Sequence, residues 1–356
     1  MMTHNQSSNI IYPRDVRLAL NICTYKRYSD IVRNLNLLLS SKFFQEKESE
    51  YFGCMDVFIV DNASELQLDF NIDSDAIHIV HNRNTGGAGG FQRGIEEIRK
   101  CSEKKTFTHV VFMDDDVSFE LSCFYLLFDC LRMIDDKNID RPIAGRMIDA
   151  DNPNVQWTAG EKWNGGNIEQ IEHLRDISTN AYIYGKCVFD SEADYGGWWL
   201  CCYPYSFVKD NDILPFFLHC DDVEYGLRCG KKPITIEGVH VWHKTWDKNF
   251  SPITFYYDIR NPLFVNELYG LSESPEKVLL NWKAKISYFH MKQDWTTEYM
   301  GIIGMRDYLR GFSWLNAVDG EKLHLKLLKT KSNRLKNALA WHFVEKYYRY
   351  KKQNFY

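Results

Sequence analysis

The chain has 356 residues, of which 45% are hydrophobic and 26% are charged, and its net charge is −5. These values are ordinary for a folded globular protein, so the overall charge indicates no particular partner and we expect no nucleic-acid ligand. No run of about 18 apolar residues occurs, and the N-terminus lacks the apolar core of a signal peptide. We therefore expect a cytoplasmic protein that neither spans a membrane nor is exported by a standard signal.

The ten cysteines contain no C-x-x-C pair and include the adjacent Cys201 and Cys202. This spacing is typical neither of a zinc site nor of a disulfide framework. Reduced thiols are the simplest interpretation.

The first half of the chain alternates predicted strands with predicted helices. Apolar runs predict strands that end near Tyr25, Asp61, Asn82 and Asp114, and helical spacing predicts helices at 29–44, 89–101 and 118–134. This alternation predicts an α/β fold with a mostly parallel sheet flanked by helices, whose ligands lie beyond the carboxyl ends of the strands.

The pattern loosens after residue 141. A strand is predicted at 143–148, loops or a small antiparallel insertion at 151–195, a helix near Asp221 and a strand that ends at His243. From Pro262 onward the sequence is mostly helical. Residues 321–352 carry ten Lys and Arg against two acidic residues, which predicts a basic amphipathic helix or pair of helices.

Three successive carboxylates, Asp114, Asp115 and Asp116, follow the fourth strand. They repel one another unless a cation or hydrogen-bond donors satisfy them. Side chains alternate along a strand, so Asp114 and Asp116 can converge on Mg²⁺ or Mn²⁺, which in turn bind a diphosphate. The alternative is a solvated acidic loop.

A glycine-rich turn is predicted between the third strand and the helix that follows it. It resembles a dinucleotide-binding loop, but Gln92 stands where the third glycine of G-x-G-x-x-G belongs. Glycines before a helix still allow a ligand to approach the backbone and its N–H groups. A tight turn without a ligand is the alternative.

Together, several motifs resemble a known family. They are N-x-G-G-x-G-G-F at 84–91, F-x-D-D-D at 112–116, W-W-x-C at 198–201, P-F-F at 215–217, D-D-x-E-Y-G at 221–226 and W-H-x-x-W at 242–246. In this order they resemble the family 2 glycosyltransferases of GT-A fold, specifically the bacterial galactofuranosyltransferases, over about residues 16–265. The resemblance implies a catalytic domain at 1–265 and a helical C-terminal region at 266–356.

The resemblance also implies roles for individual residues. The nucleotide-sugar donor is expected to contact Thr24, Arg27, Asp61, Asn84, Gly86, Gly87 and Asp115. The metal ligands implied are Asp114, Asp116 and His243, with His240 as an alternative to His243, and the cofactor is Mn²⁺ or Mg²⁺.

Acceptor residues are expected around the D-D-x-E-Y-G motif. Asp222 is the expected general base, with Asp221 or Glu224 orienting the acceptor; helix capping is the alternative for such acids. Trp198 and Trp199 are either core residues or a platform on which sugar rings stack.

The resulting hypothesis is an inverting, metal-dependent transferase that moves galactofuranose from UDP-galactofuranose to a glycan hydroxyl. A polyprenyl diphosphate is a plausible carrier of the acceptor, and the basic C-terminal segment then predicts a peripheral membrane contact. Packing of that segment on the catalytic domain or on another subunit is the alternative. A donor such as dTDP-rhamnose and a non-catalytic glycan-binding protein remain the rival functions.

Overall fold

The structure is a computed structural model that describes residues 13–67, 74–179, 181–245, 250–271 and 274–354. The predicted loose N-terminal residues 1–12 lie outside these ranges, as does Trp246 of the W-H-x-x-W motif.

The described chain alternates strands and helices up to β5 and then continues through short strands into a helical region. The strands are β1 Leu18–Thr24, β2 Met55–Asp61, β3 Ile77–His81, β4 His109–Asp114, β5 Ile143–Asp149, β6 Val155–Thr158, β7 Glu161–Asn164, β8 Asn167–Gln170, β9 Arg175–Asp176, β10 Cys187–Val188, β11 Cys201–Pro204 and β12 Ile234–His243. The helices are α1 Tyr28–Leu39, α2 Gly86–Cys101, α3 Leu121–Met133, α4 Tyr205–Val208, α5 Asp221–Cys229, α6 Pro252–Leu268, α7 Pro275–Met291, α8 Trp295–Tyr308, α9 Phe312–Ala317, α10 Gly320–Leu328 and α11 Arg334–Asn354.

Most of these strands form one sheet in the order β10-β12-β5-β11-β4-β1-β2-β3, with β6 and β9 attached beside β5. The pairs β1–β2, β2–β3, β1–β4 and β5–β12 are parallel, and β11 runs antiparallel between β4 and β5. The predicted architecture, a mostly parallel sheet flanked by helices, is confirmed. The expected antiparallel insertion is present as β6 to β9, in which β7 and β8 form a separate two-stranded sheet.

Two apolar cores cover the two faces of the sheet. In β4, Val110 and Phe112 belong to one core, and Val111 and Met113 belong to the other. Alternate side chains of a strand point to opposite faces, so a strand buried on both sides reads as a continuous apolar run. This is why the sequence predicted the central strands well.

The glycine-rich stretch forms the first turns of α2 itself rather than a turn before the helix. A Cβ on Gly94 would lie 1.9 Å from Asn21 Oδ1 of β1, and one on Gly86, whose φ is +70°, would lie 2.0 Å from the carbonyl oxygen of Phe217. Only glycine permits such close approaches. The glycines therefore bring α2 against the central strand.

Helix α6 begins ten residues before the predicted start at Pro262. Ser251 and Thr254 form a capping box, and Pro252 occupies the first helical turn, where a missing N–H costs nothing. Pro262 lies inside the helix. The predicted start was too late because residues 252–261 show no apolar periodicity.

The predicted helical C-terminal region is confirmed as α7 to α11. Helix α6 runs through the predicted domain boundary at residue 265, and Leu279, Trp282, Val344 and Tyr348 share an apolar core with sheet residues. The division at 265 stays a prediction. Among the described residues, no helix combines the length and apolar character needed to cross a membrane.

Candidate functional site

The polar residues at the carboxyl ends of β1, β2 and β4 lie side by side. In the strand register Thr24 pairs with Asp61, and Cys23 pairs with Asp114. Parallel strands end at a common edge of the sheet, which is where open α/β folds bind ligands. The structure thus places these sequence-predicted residues on one rim.

The third element at this rim is the end of β12. Ser118 and Trp242 exchange backbone hydrogen bonds of 2.9 and 2.8 Å, which ties the segment after the aspartates to β12. As a result His243 Nε2 lies 3.1 Å from Asp116 Oδ1 and 4.0 Å from Asp114 Oδ2. His240 instead contacts the Tyr182 hydroxyl, at 3.1 Å from its Nδ1.

Arg27, at the start of α1, supplies positive charge to the aspartates. Its guanidinium forms an ion pair with Asp116 and lies 3.3 Å from Asp115 Oδ1. Its side chain is 53% exposed, so it can move to another anion at little cost. Asp115 is buried beneath it.

The electrostatics of the three aspartates differ. Burial, together with the charges of Asp116, Asp115 and Asp222, raises the pKa of Asp114 to about 8 against the opposing effect of His243. Burial also disfavours the charged form of Asp116, but His243 and Arg27 lower its pKa overall. The negative charge of Asp114 is therefore less compensated by neighbouring groups than that of Asp116.

Carboxylate oxygens and an imidazole nitrogen are donors that suit Mn²⁺ or Mg²⁺. Among the described residues, no group of three or more His, Cys, Asp or Glu side chains is arranged to hold a metal ion. Asp114, Asp116 and His243 converge, but Arg27 takes the position beside Asp116. The donor types and the uncompensated charge of Asp114 fit a divalent cation once Arg27 turns to another anion.

Across the rim, a left-handed turn delivers Asp221 and Asp222 to the start of α5. Phe217, His219 and Cys220 have φ values of 72°, 63° and 65°. Asp222 Oδ1 accepts a 2.8 Å hydrogen bond from the N–H of Val223, so part of its role is that of a helix-capping side chain.

The turn also contacts the start of α2. The N–H of Ala88 donates to the carbonyl oxygen of Phe217, and a Cβ on Gly87 would lie 3.8 Å from Asp221 Oδ2. The donor-side motif N-x-G-G and the D-D-x-E-Y-G motif are therefore neighbours. Burial, then the charge of Asp221, raises the pKa of Asp222. A carboxylate with a raised pKa near the opposite carboxylates is suited to accept a proton.

No family model matches the chain, but two curated proteins do. Galactofuranosyltransferase GlfT2 of Mycolicibacterium smegmatis is 25% identical over 328 residues, covering 84% of this chain and 48% of that protein. Galactofuranosyltransferase GlfT2 of Mycobacterium tuberculosis is 24% identical over 312 residues, covering 78% and 46%. This chain is thus similar to two galactofuranosyltransferases over most of its length. It spans about half the length of the curated relatives it matches.

Solved structures similar to this chain also include glycosyltransferases. The mannosyltransferase PcManGT from Pyrobaculum calidifontis, in complex with GDP-Man and Mn²⁺, has a TM-score of 0.42 and 13% identity, covering 95% of this chain and 87% of its own. GalNAc-T7 with UDP, GalNAc and Mn²⁺ has a TM-score of 0.47 and 10% identity, covering 71% and 48%.

The tryptophan pair does not form the predicted sugar platform. Trp198 and Trp199 are only 4% and 5% exposed. The Trp198 ring stacks on Phe112 with centroids 4.6 Å apart, and Trp199 Nε1 donates to the carbonyl oxygen of Gly145. Both indoles are core residues because β11, which follows them, enters the middle of the sheet.

Glu224 is likewise not an acceptor-orienting residue. It is 3% exposed, forms an ion pair with Arg228 one turn along α5, and accepts a 2.9 Å hydrogen bond from the Tyr269 hydroxyl. The Glu224 carboxylate is therefore occupied by partners inside the protein. Asp221 and Asp222 stay at the rim.

Two residues that were predicted to contact the nucleotide sugar make their contacts inside the protein instead. Asp61 is fully buried, and its oxygens accept from the Tyr28 hydroxyl and from the N–H groups of Ala63 and Leu66. Thr24 is 1% exposed and lies near Asp115. In this conformation neither side chain is presented to a nucleotide.

The N-x-G-G residues divide in the same way. Asn84 Oδ1 accepts from the N–H of Gly86, and Gly86 packs against the backbone of Phe217, so both shape the helix start. Gly87 faces Asp221 across the rim. The contact of Gly87 with a donor stays a prediction.

Sequence reasoning missed three polar groups near Asp222. Glu161 of β7 is 2% exposed, and its burial, with the charge of Asp222, raises its pKa to about 8. His219 and Asp258 are paired, with 2.6 Å between Nδ1 and Oδ1. Isolated His, Asp and Glu residues carry no spacing signal, so only the tertiary contacts reveal them.

Proposed function

We propose that this protein is an inverting glycosyltransferase that transfers galactofuranose from UDP-galactofuranose to a hydroxyl of a glycan acceptor. The observation that carries the proposal is the proximity of two carboxylate groups, Asp114–Asp116 at the end of β4 and Asp221–Asp222 at the start of α5. The charge of Asp222 contributes to the raised pKa of Asp114, so the two groups act within one electrostatic environment. Similarity to two galactofuranosyltransferases supports the donor sugar.

One set of rim residues acts on the UDP leaving group, and another acts on the attacking hydroxyl. Arg27, half-exposed beside the aspartates, would pair with the diphosphate of the donor. Asp114, Asp116 and His243 would hold Mn²⁺ or Mg²⁺, which when bound supplies positive charge that stabilises the UDP leaving group.

Asp222 acts on the acceptor. The acceptor oxygen forms a bond to the anomeric carbon as the bond from that carbon to the UDP oxygen breaks, and the hydroxyl proton passes to the Asp222 carboxylate. A single displacement inverts the anomeric configuration, so an α-linked donor yields a β-galactofuranoside. Asp221, which faces Gly87, lies between the donor side and the acceptor side.

We also propose a lipid-linked acceptor at a membrane surface. Helix α11 packs on the protein through Asn337, Val344 and Tyr348 and leaves an outward stripe of large apolar side chains. The stripe consists of Leu335, Leu339, Phe343, Tyr347 and Tyr350, which are 45–72% exposed. Exposed basic residues such as Lys336 and Lys346 border it, which suits an interface with anionic lipid headgroups.

One assay tests the transferase proposal. Purified protein is incubated with Mn²⁺, a galactoside acceptor and a panel of nucleotide sugars that includes UDP-galactofuranose and dTDP-rhamnose, and released nucleotide and product linkage are measured. We expect turnover with UDP-galactofuranose and a β-linked product. Turnover with another donor alone, or a retained α configuration, contradicts the proposal.

A further inference from the structure

The turn before Asp221 is held from the side by helix α6. The side-chain amide of Asn261 donates to the carbonyl oxygens of Leu218 and His219 at 2.6 and 2.9 Å, and the Arg260 guanidinium donates to the carbonyl oxygen of Phe216. These donors satisfy carbonyl groups that a left-handed turn leaves without helical or strand partners. Helix α6 thus determines where His219 and the following aspartates lie.

The same face of α6 supplies a carboxylate to His219. Asp258 Oδ1 lies 2.6 Å from His219 Nδ1, and both side chains are 44% exposed. The pair therefore lies on the wall of the site rather than in the core. A carboxylate on one ring nitrogen orients an imidazole and stabilises its charged form.

The charges around His219 favour the imidazolium. Burial opposes it, but the hydrogen bond and charge of Asp258, together with Asp221 and Asp222, raise the pKa of His219. In return, His219 lowers the pKa of both Asp221 and Asp222, which burial raises.

Other elements contribute charges to the same region. Asp222 acts on Asp114 of β4 and on Glu161 of β7, and both are carboxyl groups whose pKa is raised. The charge of Asp258 also acts on Lys285 of α7, whose pKa it raises against the larger effect of burial. The N–H of Val223 and a charged His219 both stabilise the charged form of Asp222, and of these two His219 is the one that carries a full charge.

We propose that His219, held by Asp258, is a positioning residue that keeps Asp222 in the carboxylate form required of a base. The inference rests on the proposed function for the role of Asp222, but the electrostatic pairing itself is independent of any substrate. Two measurements separate these parts.

The first measurement is the pH dependence of kcat/KM with UDP-galactofuranose. His219→Gln and Asp258→Asn each remove the charge and are expected to move the acid limb about one pH unit upward, with near-normal activity at high pH. His219→Lys, which restores a cation, is expected to move the limb back toward that of the unmodified protein. A uniform loss of activity at every pH would show a merely structural role and overturn the inference.

The second measurement needs no activity. Nuclear magnetic resonance of protein labelled with ¹³C at the histidine rings and aspartate carboxyl groups follows both titrations. We expect His219 to titrate above about 6.5, Asp258→Asn to lower that midpoint, and His219→Gln to raise the midpoint of Asp222. His78→Gln is the control, because His78 pairs with Asp56 at a distant part of the sheet.

The outcomes are distinct. If Asp222 titrates identically with and without His219, the inference is wrong whatever the enzyme does. If the titrations behave as expected but no nucleotide sugar is turned over, the pairing stands and the proposed function fails.

Discussion

His243 Nε2 lies 3.1 Å from Asp116 Oδ1, although the two residues are 127 positions apart in the chain. The contact exists because β12 runs parallel to β5 and because Trp242, near the end of β12, forms backbone hydrogen bonds with Ser118, which follows the aspartates. It joins the histidine and the acidic motif that the sequence could only place separately.

Metal binding is the first consequence. Asp116→Ala and His243→Ala are each expected to weaken Mn²⁺ binding by about 10–100-fold in the presence of UDP, because each removes a donor from one side of the ion. Isothermal titration calorimetry measures the affinity. His240→Gln is the matched control, since His240 contacts Tyr182 rather than the aspartates; an equal loss in that variant would argue against the assignment of His243.

Removal of the proposed base gives the second prediction. Asp222→Asn keeps the shape of the side chain but cannot accept the acceptor proton, so kcat should fall by about 10²–10⁴-fold. Nucleotide release measures the rate and thermal unfolding checks the fold. Asp212→Asn, at an exposed carboxylate paired with Arg99, should leave the rate unchanged. Near-normal turnover by the Asp222 variant would remove it from the mechanism.

The raised pKa of Asp222 predicts the direction of the pH profile. The base must be ionised, and burial raises the pKa of Asp222 above the ordinary value of about 3.9. Activity should therefore decline as pH falls through a midpoint well above that of an exposed aspartate. Initial rates across a buffer series that holds ionic strength constant provide the test, and an acid limb near pH 4 contradicts it.

Glu161 predicts a pH dependence of stability. Its pKa is about 8 in the folded protein because of burial, whereas in the unfolded chain it is near 4.3. The folded state holds the proton more tightly, so the contribution of Glu161 to the free energy of unfolding is lost as pH rises through this window, by up to about 1.4 kcal/mol per pH unit. Glu161→Gln should therefore gain stability relative to the unmodified protein as pH rises from 5 to 8. Denaturant titrations at several pH values measure the difference, and a gap that is independent of pH contradicts the prediction.

Two glycines of α2 form a matched pair. A Cβ on Gly94 would collide with Asn21, so Gly94→Ala should destabilise the protein by about 1–3 kcal/mol. A Cβ on Gly87 meets only Asp221 Oδ2, at 3.8 Å, so Gly87→Ala should preserve or slightly raise stability, because alanine favours a helix by about 1 kcal/mol. Thermal unfolding of both variants decides the matter; equal effects would show that α2 does not lie against β1 as described.

The apolar stripe of α11 predicts lipid binding. Replacement of Leu335, Leu339 and Phe343 by serine should abolish co-sedimentation with anionic vesicles while transfer to a soluble acceptor persists, because these side chains face away from the packed side of the helix. Leu174→Ser is the control at an exposed apolar residue elsewhere. Binding that does not distinguish anionic from neutral vesicles, or loss of a self-association instead of vesicle binding, would falsify the membrane proposal.

The candidate site shows how far sequence reasoning reached. Asp114, Asp116 and Asp222 were predicted because they follow recognisable strand and helix signals within motifs. Trp198, Trp199 and Glu224 were misassigned although they belong to the same motifs, because packing residues and polar residues of the rim stand side by side in these motifs. Their burial is a property of the neighbours they meet across the sheet, and no local pattern reports it.

The sequence by itself determined the order of strands and helices in the first half of the chain, the common rim of β1, β2 and β4, and the resemblance to galactofuranosyltransferases. These follow from apolar periodicity and short motifs, which are local. Only the tertiary structure decided which polar groups meet: His243 with Asp116, His219 with Asp258, and Gly87 with Asp221. Such contacts depend on strand register and on the hydrogen bonds by which α6 holds the left-handed turn. Both are set by packing between residues distant in the chain.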